Sequence, residues 1–246
     1  IIYSIVLKMA DKESYGKKYK LGAMNVKTFH RSKEDVEFVE ETLMSAIDSG
    51  EYDILVAPEH AYNTNEVMTE NELLEIADKY IKQIGNKKML VLPGTAMVEF
   101  ENKYMENVLP IIISEGGGKA EVKYYSKKYD WNEKSIAKRR GLEWRNGKNP
   151  SVFEWDKKSI GVEICADHMN SALAEYYSDL DLQIIVSEGM SIDAEKIAVK
   201  PGGSIINCDG VSANEAERLT NESEDKLTSI PPKKTGGGIW SYSIEF

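Results

Sequence analysis

Apolar residues along this chain fall into two kinds of run, helical and extended. Over 32–47, Val36, Val39, Leu43, Met44 and Ile47 recur at spacings of three and four, the period of an amphipathic helix. Ser32 and Asp35 supply a capping-box-like start, and Gly50 a stop. The pattern repeats over 70–84, with Leu73, Leu74, Ile76, Ala77, Tyr80 and Ile81 on one face and Gly85 after it. Short, continuous apolar runs at 21–26, 52–57, 89–92, 159–165, 182–186, 204–208 and 239–244 predict strands, several of them buried on both faces. Residues 107–113 and 120–125 flank Gly116, Gly117 and Gly118 and predict an antiparallel hairpin. A strand is expected over 1–7, a short helix over 170–177, and loop over the polar stretch 212–234, which holds Pro231 and Pro232. Strands alternating with helices, without a repeat or low-complexity tract, predict an α/β fold whose sheets are covered by helices.

A chain of 246 residues is long enough for one substantial core, so a single domain over 1–246 is expected. The balance of 31 basic against 41 acidic residues gives a formal charge of -10, which opposes binding to phosphate backbones; no basic stripe is interleaved with aromatics to offset it. The densest basic stretch, Lys127, Lys128, Lys134, Lys138, Arg139 and Arg140, reads as a solvated face apart from Lys127. Two cysteines make no disulfide framework for a protein of this size, which fits a reducing cytoplasm. The apolar run at 1–7 is far short of a membrane span and lacks a cleavage-site pattern, although a start at Ile1 leaves room for residues upstream.

Three strand ends carry reactive side chains: Val56-Ala57-Pro58-Glu59, Tyr125-Ser126-Lys127, and Gly161 through Cys165 to Asp167. Strand-end loops are where α/β folds place chemistry. A thiol nucleophile needs a base for its proton and a positive group for the oxyanion that forms, and Glu59 and Lys127 offer both to Cys165.

In these features the chain resembles the nitrilase (carbon-nitrogen hydrolase) superfamily, with a Glu after a strand-ending Pro, a Lys following a hairpin and a Cys in a G-x-x-x-C-x-D-like context, in that order. Leu92-Pro93-Gly94-Thr95-Ala96, Asn107-Val108 and the glycine turn at Gly147, 18 positions before Cys165, extend the similarity over roughly 21–210. The resemblance implies a four-layer αββα sandwich, often assembled as a homodimer. It also implies hydrolysis of a non-peptide carbon-nitrogen bond, with an amide or carbamoyl group ahead of a nitrile. Glu59 would be the general base, Lys127 the oxyanion stabiliser and Cys165 the nucleophile that forms an acyl-enzyme. Many members have a second Glu, for which Glu143 is the choice here and Glu133 the alternative.

Competing assignments remain open. Lys128 adjoins Lys127. His168, three residues after Cys165, and His60, beside Glu59, raise a Cys-His dyad, against which a polar pocket-wall role for His168 is set. Cys208 reads as a structural thiol. No metal-ligand spacing, phosphate loop or dinucleotide fingerprint is present, so no metal or cofactor is implied and the partner is a small-molecule substrate. Tyr62, Tyr129, Trp131 and Met190 are candidates to line its pocket. The rival to an enzyme is a catalytically inactive binding or assembly module with the same fold.

Overall fold

In the computed structural model, which describes residues 17–25, 32–148, 151–219, 227–235 and 238–246, the apolar runs pair into two sheets. The first sheet follows the order β15 (Lys233–Lys234), β16 (Ile239–Glu245), β1 (Lys18–Met24), β2 (Ile54–Val56), β4 (Lys88–Leu92), β6 (Tyr104–Gly116), β5 (Ala96–Phe100) and β3 (Met68–Thr69). Two more strands, β7 (Lys119–Ser126) and β8 (Glu143–Trp144), also pair with β6. The second sheet runs β14 (Leu227–Ser229), β13 (Glu215–Leu219), β12 (Val199–Asp209), β11 (Leu180–Ser187), β10 (Lys158–Ile164) and β9 (Ser151–Trp155). Strands β1, β2 and β4 are parallel to one another, as are β10, β11 and β12, so their carboxyl ends gather on a shared edge of each sheet.

Strand periodicity then sorts each apolar run between two cores. Ile54, Val56, Leu90 and Leu92 face the second sheet, where they meet Val162, Ile164, Leu182, Ile184 and Val186. Their neighbours Leu55, Met89 and Val91 point outward against Val39, Leu43, Ile47, Leu73, Ile76 and Tyr80. Those six come from α1 (Lys33–Ser49) and α2 (Glu70–Ile84), each opened by a capping box, at Ser32–Asp35 and Thr69–Glu72. Gly50 ends α1 in the left-handed region at φ 63°. With both faces of β2 and β4 covered, the strands read as unbroken apolar runs.

The outer face of the second sheet is covered by shorter segments. The helix predicted over 170–177 is displaced to α4 (Ala166–Met169), and hydrogen-bonded turns follow it. Ser171, at φ 57°, leaves the helical region and stops α4 from continuing. Leu173, Ala198 and Val199 fill in over Leu180, Ile185 and Ile205. The loop expected over 212–234 is also corrected: β13 pairs antiparallel with β12, and β14 with β13. Ala216 and Leu219 are the buried side chains of β13, and the charges at Glu215, Glu217 and Arg218 beside them hid the strand pattern. The strand expected over 1–7 lies outside the described residues. A further short helix, α3 (Glu133–Arg139), had no counterpart in the sequence reading. Among the described residues no helix is long and apolar enough to cross a membrane.

Candidate active site

Glu59 follows β2, Lys127 follows β7 and Cys165 follows β10, and the two-sheet packing brings all three to one buried cluster. Lys127 Nζ donates to Glu59 Oε1 at 2.7 Å, and both side chains are only 1% exposed. The Cys165 thiol lies close to the Glu59 carboxylate, the Lys127 ammonium and the backbone of Glu188. Cys165 itself sits at φ 43°, in the left-handed region, as the hinge between β10 and α4. A non-glycine residue held there carries local strain, which native structures keep mostly at functional positions.

The second carboxylate on Lys127 belongs to Glu133 and not to Glu143. Glu133 Oε1 is in direct contact with Lys127 Nζ, while Glu133 Oε2 accepts from the N–H groups of Trp131 (2.7 Å) and Asn132 (3.0 Å). Glu143 lies on β8 with its side chain 66% exposed, 3.8 Å from Lys103. Its distance from the cluster follows from α3, which folds Glu133 back onto Lys127 and carries the chain away before residue 143 is reached. Lys128 is separated from the cluster as well: its ammonium is 3.7 Å from Glu175 and lies over the rings of Tyr129 and Tyr176.

Burial and charge set the resting protonation of this cluster. For Lys127, burial works against the charge, but the Glu59 and Glu133 carboxylates outweigh it and hold the ammonium well above its ordinary range. Glu133 shows the reciprocal effect: burial opposes its charge and Lys127 overcomes that, leaving the carboxyl well below the usual range. The Cys165 thiol is pushed up by burial first and by the Glu59 carboxylate next, with Lys127 pulling only partly against them. The site at rest is therefore a neutral thiol beside a carboxylate–ammonium pair.

Two residues tie the cluster together. Asn107, fully buried on β6, donates Nδ2–H to Glu59 Oε1 at 2.9 Å, and its backbone carbonyl accepts from Lys127 N at 2.9 Å. Asp167, two residues past Cys165, accepts from the Tyr125 hydroxyl (2.7 Å) and from the N–H groups of Lys128 (2.9 Å) and Tyr129 (2.8 Å), fastening the segment around Lys127 to the nucleophile's turn. The glycine turn adds a close approach: Gly147 N donates to Lys127 O at 2.8 Å, and a Cβ on Gly147 would stand 1.8 Å from Ser126 O.

Burial raises the Asp167 carboxyl to about 7, against the pull of its Tyr125 and Tyr129 partners. An unfolded Asp titrates near 3.9, so between about pH 4 and 7 the native protein holds a proton that the unfolded chain has lost. The unfolding free energy therefore falls as pH rises through that window. Asp167→Asn removes this titration while keeping an acceptor for the Lys128 and Tyr129 N–H groups. Urea midpoints measured from pH 4.5 to 7.5 are expected to slope downward less steeply in the variant than in the parent; equal slopes would contradict the assignment.

The remaining candidates fall elsewhere. His168 is neither a dyad partner nor a pocket wall. Its Nδ1 meets Glu163 Oε2 at 3.0 Å and its Nε2 accepts from Asp193 N at 3.1 Å, in a fully buried network with Gln183 on the outer face of the second sheet. It points that way because Glu163 and Gln183 alternate with the inward-facing Val162, Ile164, Leu182 and Ile184. Tyr62 turns away from the cluster, its hydroxyl 2.6 Å from that of Tyr80 on α2. Cys208 is fully buried between the sheets, its thiol directed at the carbonyls of Met24 and Val56, 3.4 Å from each. The two thiols should therefore separate in reactivity: iodoacetamide is expected to label Cys165, 8% exposed, in the native protein, and Cys208 only after unfolding. Peptide mapping checks this, and equal native labelling would refute it.

His60 and Glu188 complete the surroundings; the sequence marks His60 only as a dyad candidate and does not mark Glu188. His60 Nε2 lies 3.7 Å from Glu59 Oε1 and 3.6 Å from Glu188 Oε2. Thr95 Oγ1 accepts from the His60 N–H at 2.8 Å, which holds His60 in its left-handed conformation at φ 60°. Position beside Glu59 was the available signal for His60. For Glu188 the sequence offered only its place just after a strand.

By sequence, the chain matches no family model and no curated protein. By structure, it is similar to XC1258 from Xanthomonas campestris, a CN-hydrolase superfamily protein, with a TM-score of 0.62 at 14% identity, over 93% of this chain and 91% of that one. Nit3 of Saccharomyces cerevisiae, a member of the nitrilase superfamily, aligns with a TM-score of 0.62 at 13% identity, over 94% and 91% of the two chains. A mutant of the amidase from Nesterenkonia sp. AN1, carrying the acetamide moiety of fluoroacetamide at its active-site cysteine, aligns at 0.58 and 10% identity, over 94% and 91%. The chain thus has the fold of the nitrilase superfamily.

Proposed function

We propose that this protein is a nitrilase-superfamily hydrolase that cleaves a non-peptide carbon-nitrogen bond, an amide or carbamoyl group in preference to a nitrile. The observation that carries this reading is the buried contact of Glu59 with both Lys127 and Cys165. A neutral thiol beside a carboxylate has its base in place, and the ammonium on the same carboxylate supplies the compensating charge.

In the reaction that follows, the Cys165 sulfur bonds to the carbonyl carbon as its proton passes to Glu59. The carbonyl electron pair moves to oxygen, and Lys127 stabilises that oxyanion. Collapse of the intermediate breaks the carbon-nitrogen bond, and the proton on Glu59 leaves with the amine. Water then gives a proton to Glu59 and its oxygen to the thioester carbon. The carbon-sulfur bond breaks, the thiol regains its proton, and a carboxylic acid departs. Asn107 and Glu133 hold Glu59 and Lys127 in register and take no proton. With both cysteines free, the chain suits a reducing cytoplasm.

The test is a screen of short amides, carbamoyl compounds and nitriles for ammonia release, combined with acid quenching and intact-mass measurement. An acyl mass on the peptide containing Cys165 is expected with at least one amide. Absence of both ammonia and adduct across the panel would overturn the reading in favour of a non-catalytic module.

A further inference from the structure

A buried carboxylate anchors the segment that faces the nucleophile. Asp209 ends β12 and is fully buried, and among the described residues its partners are five N–H and O–H donors rather than a cation. Its Oδ2 accepts from the Ser187 hydroxyl at 2.7 Å and from the N–H groups of Gly189 and Met190, each at 2.8 Å. Its Oδ1 accepts from Val211 N at 2.7 Å and from Ser212 N. Burial works against the charge of Asp209, but these donors outweigh it and hold the carboxyl below its usual range. A buried anion without such partners would cost several kcal/mol, on the order of an unpaired ion in the interior.

The donors show what the charge holds. Three of the five belong to 187–190, which follows β11, and two to 211–212, which follows β12, so one carboxylate fixes both strand-end loops. Successive N–H groups converging on one anion form a nest, and Gly189, at φ 86°, supplies its left-handed residue. The anchor itself is tied across to the first sheet: Asp209 N donates to Asn214 Oδ1 at 2.9 Å, and Asn214 Nδ2 donates to Met24 O at 3.0 Å.

The 187–190 segment meets the nucleophile directly. The backbone of Glu188 lies close to the Cys165 thiol, and Cys165 N donates at 3.0 Å to the carbonyl of Val186, just before the segment begins. Burial and the Glu59 carboxylate disfavour the thiolate, whereas Lys127 and the Glu188 backbone favour it. We propose that Asp209 is a positioning residue for Cys165, its carboxylate holding 187–190 so that the Glu188 backbone stays against the sulfur. A dipole fixed in advance needs no reorganisation as negative charge grows on the sulfur. With the segment released, Lys127 alone opposes burial and Glu59.

The experiment measures the rate at which iodoacetamide alkylates Cys165 in the folded protein at pH 8, by peptide mapping, with Cys208 followed as an internal monitor. Asp209→Asn keeps the size of the side chain but turns one acceptor toward its donors into a donor. Cys165 is expected to react about three- to tenfold more slowly in this variant, because a smaller thiolate fraction is only partly offset by greater nucleophilicity. Cys208 is expected to stay protected. Ser187→Ala removes one donor from the same carboxylate and should slow Cys165 in the same direction by a smaller factor; it carries the test if Asp209→Asn does not fold. A purely structural role would move the rates the other way, since loosened packing exposes thiols. An unchanged or faster rate at Cys165 in the folded variant therefore overturns the proposal, and acceleration of Cys208 alongside it assigns Asp209 to the fold alone. The proposal rests on the hydrolase reading only for the role of the sulfur as nucleophile. Alkylation reads the sulfur itself and needs no substrate, so its outcome is distinct from the absence of ammonia and acyl adduct that would sink that reading.

Discussion

Cys165→Ala is expected to lower amide turnover by about 10⁴-fold or more while leaving the fold and the urea midpoint close to those of the parent. The size of the loss follows from what remains. Glu59 and Lys127 stay paired and the pocket keeps its shape, but no nucleophile of comparable strength stands at the carbonyl carbon, and water must attack without the acyl-enzyme stage. The fold is spared because the thiol fills a partly open position at the turn between β10 and α4, and a methyl group there keeps the contacts of Cβ. Cys208→Ala is the control: that thiol lies between the sheets, so the substitution costs packing but keeps turnover per folded molecule. Steady-state ammonia release with circular dichroism on both variants decides the matter, and retained turnover in Cys165→Ala would refute the mechanism.

Lys127→Met should be the most destabilising single change in the site, by about 3–5 kcal/mol, because it leaves Glu59 and Glu133 buried without the ammonium they share. A surface ion pair would lose about 1 kcal/mol or less. The measurement is chemical denaturation at neutral pH. Adding Glu133→Gln to Lys127→Met removes one of the stranded charges and is expected to restore part of the loss. A loss within the surface-pair range, or no recovery in the double variant, would show that the pair is not the buried unit described here. Activity should fall as well, since the oxyanion would have no positive charge beside it.

Much of the fold was legible because it is written locally. The helical period over 32–47 and 70–84, with its caps and the glycines that follow, needs only neighbours three and four residues away, and α1 and α2 start and stop close to those signals. The paired strands around Gly116 to Gly118 were legible for the same reason. Charged β13 was not, since Glu215, Glu217 and Arg218 mask its two buried residues and only its pairing with β12 makes it a strand. The helix after Cys165 was misplaced because the positive φ at Ser171, which ends it early, has no signal in a side chain that many conformations tolerate.

Local patterning suffices for the α/β alternation and for the strand ends that carry Glu59, Lys127 and Cys165, while two cysteines in similar apolar settings read alike. Which carboxylates meet which ammonium is set by the path of the chain in three dimensions. Glu133 and Glu143 differ little as residues, and so do Lys127 and Lys128. What separates them is the path of α3 and the Asp167 bonds to the Lys128 and Tyr129 N–H groups, which turn Lys127 inward and Lys128 out. His60 and Glu188, 128 positions apart (188 − 60), came to lie 3.6 Å apart only when the sheets closed face to face. Periodicity reports the neighbours of a residue along the chain, whereas a charged site is assembled by chain return, and the energy of its burial is settled only where distant strands meet.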